Sequence, residues 1–177
     1  MNYSEREEHI SAAQDLYQQA IDAGFKYGCF EVALTALGAK FDLRDVNRDG
    51  RVPTLVVDKI EKSGLKVNWL VNTDAEIDVS DIKSLFGGGL LFEESYPGDE
   101  LAGYLWFETS PGQPGHVLVI FPEESQLYPV VDTEVGGYIN LTAENLAYMA
   151  NHALAQGGSF QIAQIKKNNQ SALYREI

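Results

Sequence analysis

The segment that most constrains the fold is residues 116–121, which read His-Val-Leu-Val-Ile-Phe. This almost unbroken apolar run lies between a glycine- and proline-rich loop (110–115) and a polar turn (122–125). A short apolar run bounded by turn residues predicts a strand that is buried on both faces. Such a strand needs neighbouring strands and covering helices, so the chain is expected to build a central sheet.

The remaining sequence supplies helices first and then mostly strands. Apolar residues at helical spacing, with capping residues and glycines at the ends, predict helices over residues 5–23, 29–37, 53–63, 78–86 and 143–155. Alternating or apolar segments predict strands over 65–71, 103–109, 127–132, 138–141 and 160–167, with Pro129 indicating an edge or an irregularity. This order predicts an α+β fold, a single domain over residues 1–177 with N-terminal helices packed on an antiparallel sheet.

The composition narrows the classes of partner. A net charge of −13 argues against binding nucleic acid through its phosphates. The acids are spread along the chain, so we interpret the charge as solvated surface and keep a basic peptide or protein partner as the alternative. No apolar run approaches the length of a membrane span, and the polar, acidic N-terminus does not resemble a signal peptide. We therefore expect a soluble protein with no membrane partner, either cytoplasmic or exported without a cleavable signal. The sequence indicates no oligomeric state.

One polar segment resembles half of a metal site. Asp45, Asn47 and Asp49 have the alternating spacing of a calcium loop, and Gly50 stands at the turn. The twelfth position of such a loop would be Val56, which cannot bind a metal. We interpret the segment as a polar turn, keep calcium binding as the alternative, and predict no metal and no cofactor.

The only cysteine, Cys29, stands where the second helix should begin. A thiol at a helix N-terminus is exposed to the positive end of the helix dipole, which favours the nucleophilic thiolate. The alternative is that Cys29 is a small apolar residue packed under the helix. A nearby base would favour the first interpretation.

His116 is the best candidate for that base. It opens the apolar strand, and Asp132 closes the following strand across a tight turn. In an antiparallel hairpin these two positions are neighbours, so the carboxylate could orient the imidazole toward Cys29. The alternative is that Asp132 only begins the next turn. His9 falls in the acidic first helix and is expected on the surface, and His152 falls inside the last helix and is expected to be a packing or surface residue.

Three segments of this chain are similar to the papain-like cysteine peptidases, most of all the bacterial branch that removes double-glycine leader peptides. They are a Gly-Cys that opens an apolar helix (28–38), a Gly-His that opens an apolar strand (115–120), and an Asp followed by Gly-Gly, a short strand and Leu-Thr-Ala-Glu-Asn-Leu (130–146). The resemblance implies a papain-like fold and a catalytic triad of Cys29, His116 and Asp132. It implies a thiol protease-like hydrolase that acts through an acyl-thioester on a peptide or protein substrate.

Three positions depart from the family pattern. The family usually has a glutamine about six residues before the cysteine, where this chain has Ala23. Phe30 replaces the second glycine, and Thr133 replaces the proline that usually follows the aspartate. The missing oxyanion donor leaves two alternatives open beside the peptidase. One is a glutamine deamidase with the same triad, and the other is a non-catalytic acidic interaction or immunity protein of the same fold.

Overall fold

The computed structural model describes residues 3–25, 29–47, 56–73, 75–86, 100–132 and 137–167. The helices are α1 (Tyr3–Asp22), α2 (Cys29–Ala36), α3 (Val56–Lys62), α4 (Val79–Phe86) and α5 (Ala143–Ala155), with a single 3-10 turn at Leu43–Asp45. The strands are β1 (Leu65–Thr73), β2 (Glu100–Ser110), β3 (Gln113–Ile120), β4 (Tyr128–Asp132), β5 (Gly137–Leu141) and β6 (Ser159–Lys167).

The six strands form one antiparallel sheet in the order β1-β6-β2-β3-β4-β5. Strand β3 lies inside this sheet, and Val117, Val119 and Ile120 are fully buried, as the apolar run predicts. The mixture of helices and antiparallel strands confirms the α+β class.

Helices cover both faces of the sheet, and the side chains of β3 alternate between them. Val117 and Val119 pack with α1, α2 and α3, on what we call the α2 face. Leu118 and Ile120 pack with α4 and α5, on what we call the α5 face. The two faces thus bury separate apolar clusters, as expected for a strand whose side chains point alternately up and down.

Helix α2 is buried nearly all round. Its apolar side chains, from Phe30 to Leu37, are at most 2% exposed. Glu31 in its first turn is also buried, and its carboxylate accepts a hydrogen bond of 2.6 Å from the ammonium of Lys59 on α3. Gly38, at φ 107°, ends the helical segment, where the sequence predicts the stop.

The turn between β3 and β4 is tight and anchored to α1. Glu124 and Leu127 form its last bridge, and Ser125 and Gln126 between them have φ of 52° and 68°. Arg6 of α1 donates to the carboxylate of Glu124 and is almost completely buried. The ion pair therefore fixes the turn against the first helix.

The structure departs from the sequence predictions at several points. Strand β2 begins at Glu100 instead of residue 103. Pro129 lies in β4, which is an interior strand, so the prediction of an edge is wrong. His9 is partly buried rather than exposed, because its ring packs against the backbone of Gly38. The predicted start of the third helix, residues 53–55, lies outside the described residues.

Within the described ranges, no helix is both long enough and apolar enough to cross a membrane.

Candidate active site

The structure brings His116 and Asp132 together. Leu118 of β3 pairs with Asp132 of β4, and His116 lies two residues before Leu118 on the same face. The Nε2 atom of His116 is 3.2 Å from Oδ1 of Asp132. The side chains are 21% and 22% exposed, so solvent reaches part of the pair, while the second ring nitrogen, Nδ1 of His116, is buried. An imidazole N–H donates to a carboxylate at this distance, and this orients the ring.

Glu108 is a third member of this site that the sequence did not reveal. It lies on β2 directly opposite His116. Its Oε1 accepts a hydrogen bond of 2.8 Å from the indole Nε1 of Trp106, two residues earlier on the same strand. His116 is thus flanked by one carboxylate from each neighbouring strand. The signal in the sequence was a charged residue at the end of an aromatic strand. That signal does not identify the partner across the sheet, because the partner depends on the β2–β3 register.

Burial raises the pKa of the Glu108 carboxyl above its ordinary value, because the charged form loses hydration. The Trp106 hydrogen bond and the charge of His116 act in the opposite direction and lower the pKa. The charge of Asp132 adds to the increase, and the charge of His152 on α5 reduces it. The four titratable side chains therefore act on one another electrostatically.

The site lies on the α5 face of the sheet. Trp106, Leu118 and Val130 are the inward neighbours of Glu108, His116 and Asp132 on their strands, and all three pack with α4 and α5. On α5, the exposed ring of Tyr148 stacks on His152 with ring centroids 5.8 Å apart. The sequence placed His152 as a surface or packing residue, and the structure places it exposed and near the site.

Helix α2, which begins at Cys29, covers the opposite face. The start of this helix nevertheless lies at about the same level along the strands as His116. Phe30 packs on Phe107 with ring centroids 6.2 Å apart, and Phe107 pairs with Val117, the neighbour of His116. The side chain of Cys29 lies outside the described part of the chain, so the predicted contact between thiol and imidazole is not among the described contacts.

The described glutamines of α1 do not replace the missing oxyanion donor. Gln18 is exposed, and its amide donates to Asp22 on the same helix at 2.8 Å. Gln19 is also exposed on α1. We therefore identify no side-chain oxyanion donor in the described ranges of α1.

The described residues do not support a metal centre. No group of three or more His, Cys, Asp or Glu side chains among them is arranged to hold a metal ion. Asp45 of the calcium-like segment instead accepts a hydrogen bond from the Asp42 backbone and closes a capping box. Asp49 lies outside the described residues, so the calcium alternative as a whole stays untested.

A cleft of about 580 Å³ lies near the opposite end of the sheet, lined by Gly38, Lys40, Phe41, Asp45, Lys59, Lys62 and Ser63. Two of its three lysines form ion pairs within the protein. Lys59 binds the buried Glu31 and the backbone oxygen of Asp45, and Lys62 pairs with Asp58. The cleft offers no group that could assist the chemistry of His116.

Comparison with known proteins assigns no family, since no family model and no curated protein sequence matches the chain.

The raised pKa of Glu108 predicts a pH dependence of stability. Between pH 4.5, the ordinary value, and the raised pKa of the folded state, the folded state holds a proton that the unfolded state has released. Stability therefore falls as pH rises from about 4.5 through the folded pKa, and the loss is complete above it. We expect Glu108→Gln to raise the melting temperature relative to the wild type more at pH 7.5 than at pH 4.5, as measured by thermal denaturation.

The matched control is Glu123→Gln, which removes an exposed carboxylate from the turn after β3. Its melting temperature should follow that of the wild type at both pH values. An equal effect of Glu108→Gln at the two pH values would contradict the assignment.

Proposed function

We propose that this protein is an amide hydrolase in which His116, oriented by Asp132, is the general base. The observation that carries the proposal is the 3.2 Å contact between Nε2 of His116 and Oδ1 of Asp132 at a partly exposed position. A carboxylate that fixes the imidazole and stabilises its protonated form is the base–orienter part of a catalytic triad.

The nucleophile in this proposal is the thiol of Cys29, as the resemblance to papain-like peptidases implies. His116 takes the thiol proton, the thiolate attacks the carbonyl carbon, and the C–N bond breaks to leave an acyl-thioester. The departing amine receives the proton from His116. Water then hydrolyses the thioester and releases the acid. A peptide bond and a glutamine side-chain amide pass through the same steps, so peptidase and deamidase remain two forms of one proposal.

One feature of the fold supports the thiol of Cys29 as the nucleophile, and another opposes it. The contact between Phe30 and Phe107 supports it, because it puts the start of α2 at the same level of the sheet as His116. The alternation of β3 opposes it, because His116 projects from the α5 face and α2 packs on the other. A second candidate follows from this opposition. In it, His116 activates a water molecule directly and Cys29 is a packing residue.

A non-catalytic interaction protein is the third candidate. Ala23 stands where the family has its glutamine, and this favours the third candidate, because one oxyanion donor typically contributes a hundred- to a thousandfold in rate. The net charge of −13 also suits a protein that binds a basic partner.

Iodoacetamide labelling of the single cysteine across a pH series separates these candidates without a known substrate. If His116 is the base for Cys29, the native thiol labels at pH 6–7 faster than a free thiol, whose pKa is about 8.5. We expect His116→Ala to slow labelling at pH 6 by about tenfold for each unit by which the thiol pKa rises. His9→Gln, which removes a histidine from α1, should leave the profile unchanged.

Activity of Cys29→Ala completes the test. Loss of hydrolysis in both Cys29→Ala and His116→Ala supports the thiol. Loss in His116→Ala alone assigns the reaction to activated water. Labelling no faster than a free thiol, together with no hydrolysis by the wild type, overturns the hydrolase and leaves the interaction protein.

A further inference from the structure

Glu108 places a carboxylate beside the proposed base, and no lysine or arginine among the described residues forms an ion pair with it. It lies directly across from His116 and is partly buried. The charges of His116, Asp132 and His152 all act on it. An unneutralised, partly buried carboxylate is unfavourable for stability, which suggests a role in binding.

The hydrogen bond to Trp106 fixes the direction of this carboxylate. The indole Nε1 donates to Oε1 at 2.8 Å, and the indole itself is fully buried. Trp106 in turn stacks on Phe160 of β6, with ring centroids 5.6 Å apart and planes inclined by 16°. The stacked rings of Trp106 and Phe160 therefore fix the position of one carboxylate oxygen of Glu108. The other oxygen can accept a hydrogen bond from a second partner.

An aromatic surface lies on the helix that packs over the same face. Tyr148 of α5 is 69% exposed, and its ring is nearly parallel to that of His152. The charge of His152 reaches Glu108, which places this stack in the same neighbourhood. An exposed tyrosine ring attracts ammonium and guanidinium groups, as does a fixed carboxylate.

We propose that Glu108 is the anionic end of a subsite that binds a lysine or arginine side chain of the substrate beside the amide presented to His116. Tyr148 supplies the aromatic wall of this subsite. The inference rests on the proposed hydrolase function and adds the substrate class. It agrees with the net charge of −13, since an acidic protein raises the local concentration of basic peptides.

The first test compares peptides that carry lysine or the uncharged norleucine next to the cleaved amide. Wild-type protein should show a lower KM for the lysine peptide. Glu108→Gln keeps the acceptor for Trp106 but removes the charge. It should raise KM for the lysine peptide by roughly ten- to a hundredfold more than KM for the norleucine peptide, because a hydrogen bond to a charged group is lost only with lysine. Glu123→Gln is the control for a general change in charge.

The second test measures binding without cleavage. Addition of n-butylamine, which is protonated at neutral pH, should shift the ring-proton NMR signals of His116 and His152 in wild-type protein. The uncharged n-butanol should not shift them, and n-butylamine should not shift them in Glu108→Gln.

The two tests separate failure of the subsite from failure of the hydrolase. If peptides are cleaved with equal KM for lysine and norleucine, the subsite is overturned and the hydrolase stands. If n-butylamine binds in a Glu108-dependent way but no peptide is cleaved, the subsite stands and the hydrolase fails. If n-butylamine causes the same shifts in wild-type protein and Glu108→Gln, the subsite is overturned.

Discussion

Asp132→Asn is expected to lower the turnover number of amide hydrolysis by roughly ten- to a hundredfold, with little change in KM, because the negative charge beside the protonated imidazole is lost. The carboxylate lies 3.2 Å from Nε2 of His116 and stabilises both the orientation and the protonated form of the ring. An asparagine has nearly the same shape and can still accept from the ring through its amide oxygen, as in papain-like proteases, so the variant removes the charge and keeps the orientation. Steady-state kinetics on an amide that the wild type cleaves would measure the effect.

Glu123→Gln makes the same chemical change at an exposed position in the turn after β3. Its turnover number should equal that of the wild type. The melting temperature of Asp132→Asn should stay close to the wild-type value, because the side chain is partly exposed. An Asp132→Asn variant that turns over as fast as the wild type would remove the charge of Asp132 from the mechanism.

Gly158→Ala should destabilise the fold strongly, by about 3 kcal/mol or more. Gly158 lies between α5 and β6, where its amide donates to the carbonyl of Ala153. A Cβ atom at this position would overlap the carbonyl oxygen of Thr109 in β2 and approach the oxygen of Ala153 to 3.1 Å. Both obstacles are backbone atoms, so no side-chain rotation relieves them. Urea denaturation would give the free energy of unfolding.

Gly112→Ala is the matched control for the loss of a glycine. Gly112 has φ of +74°, and no atom lies within 4 Å of a Cβ built on it. Only the backbone conformation is penalised there, at a cost of about 1–2 kcal/mol. If Gly158→Ala lowered the free energy of unfolding no more than Gly112→Ala, the close approach between β2 and the connection from α5 to β6 would be contradicted.

The hairpin that joins His116 and Asp132 was predictable because its information is local. An apolar run, a polar turn and a returning apolar segment define which strand ends meet. The alternation within each strand then puts both side chains on one face, and the observed contact follows from these two rules.

The face of the sheet that α2 covers was not predictable. Its side chains from Phe30 to Leu37 are nearly all buried, so their pattern gives no exposed stripe that would indicate a direction. Strand β3 is likewise apolar on both faces. Whether Cys29 lies near His116 depends on which face of the sheet α2 covers and on which face His116 lies. The sequences of these two segments do not indicate either.

Glu108 escaped prediction for a different reason. Its partner across the sheet depends on the register of β2 and β3, which shifts between Glu108 and Ser110. Such a bulge moves every pairing beyond it by one residue. Counting back from the Pro111-Gly112 turn without the bulge would have assigned the wrong partner to Glu108.

The contact of His116 with Asp132 survives a change in length of the turn between β3 and β4 only if the number of residues added or removed is even. Ser125 and Gln126 close that turn, and the ion pair of Glu124 with Arg6 holds it. One residue inserted or deleted between the two strands would rotate Asp132 to the opposite face and leave every apolar side chain of β4 misplaced as well. Viable length changes in this turn are therefore restricted to even numbers, so the same count of residues governs both the packing of the sheet and the orientation of the imidazole.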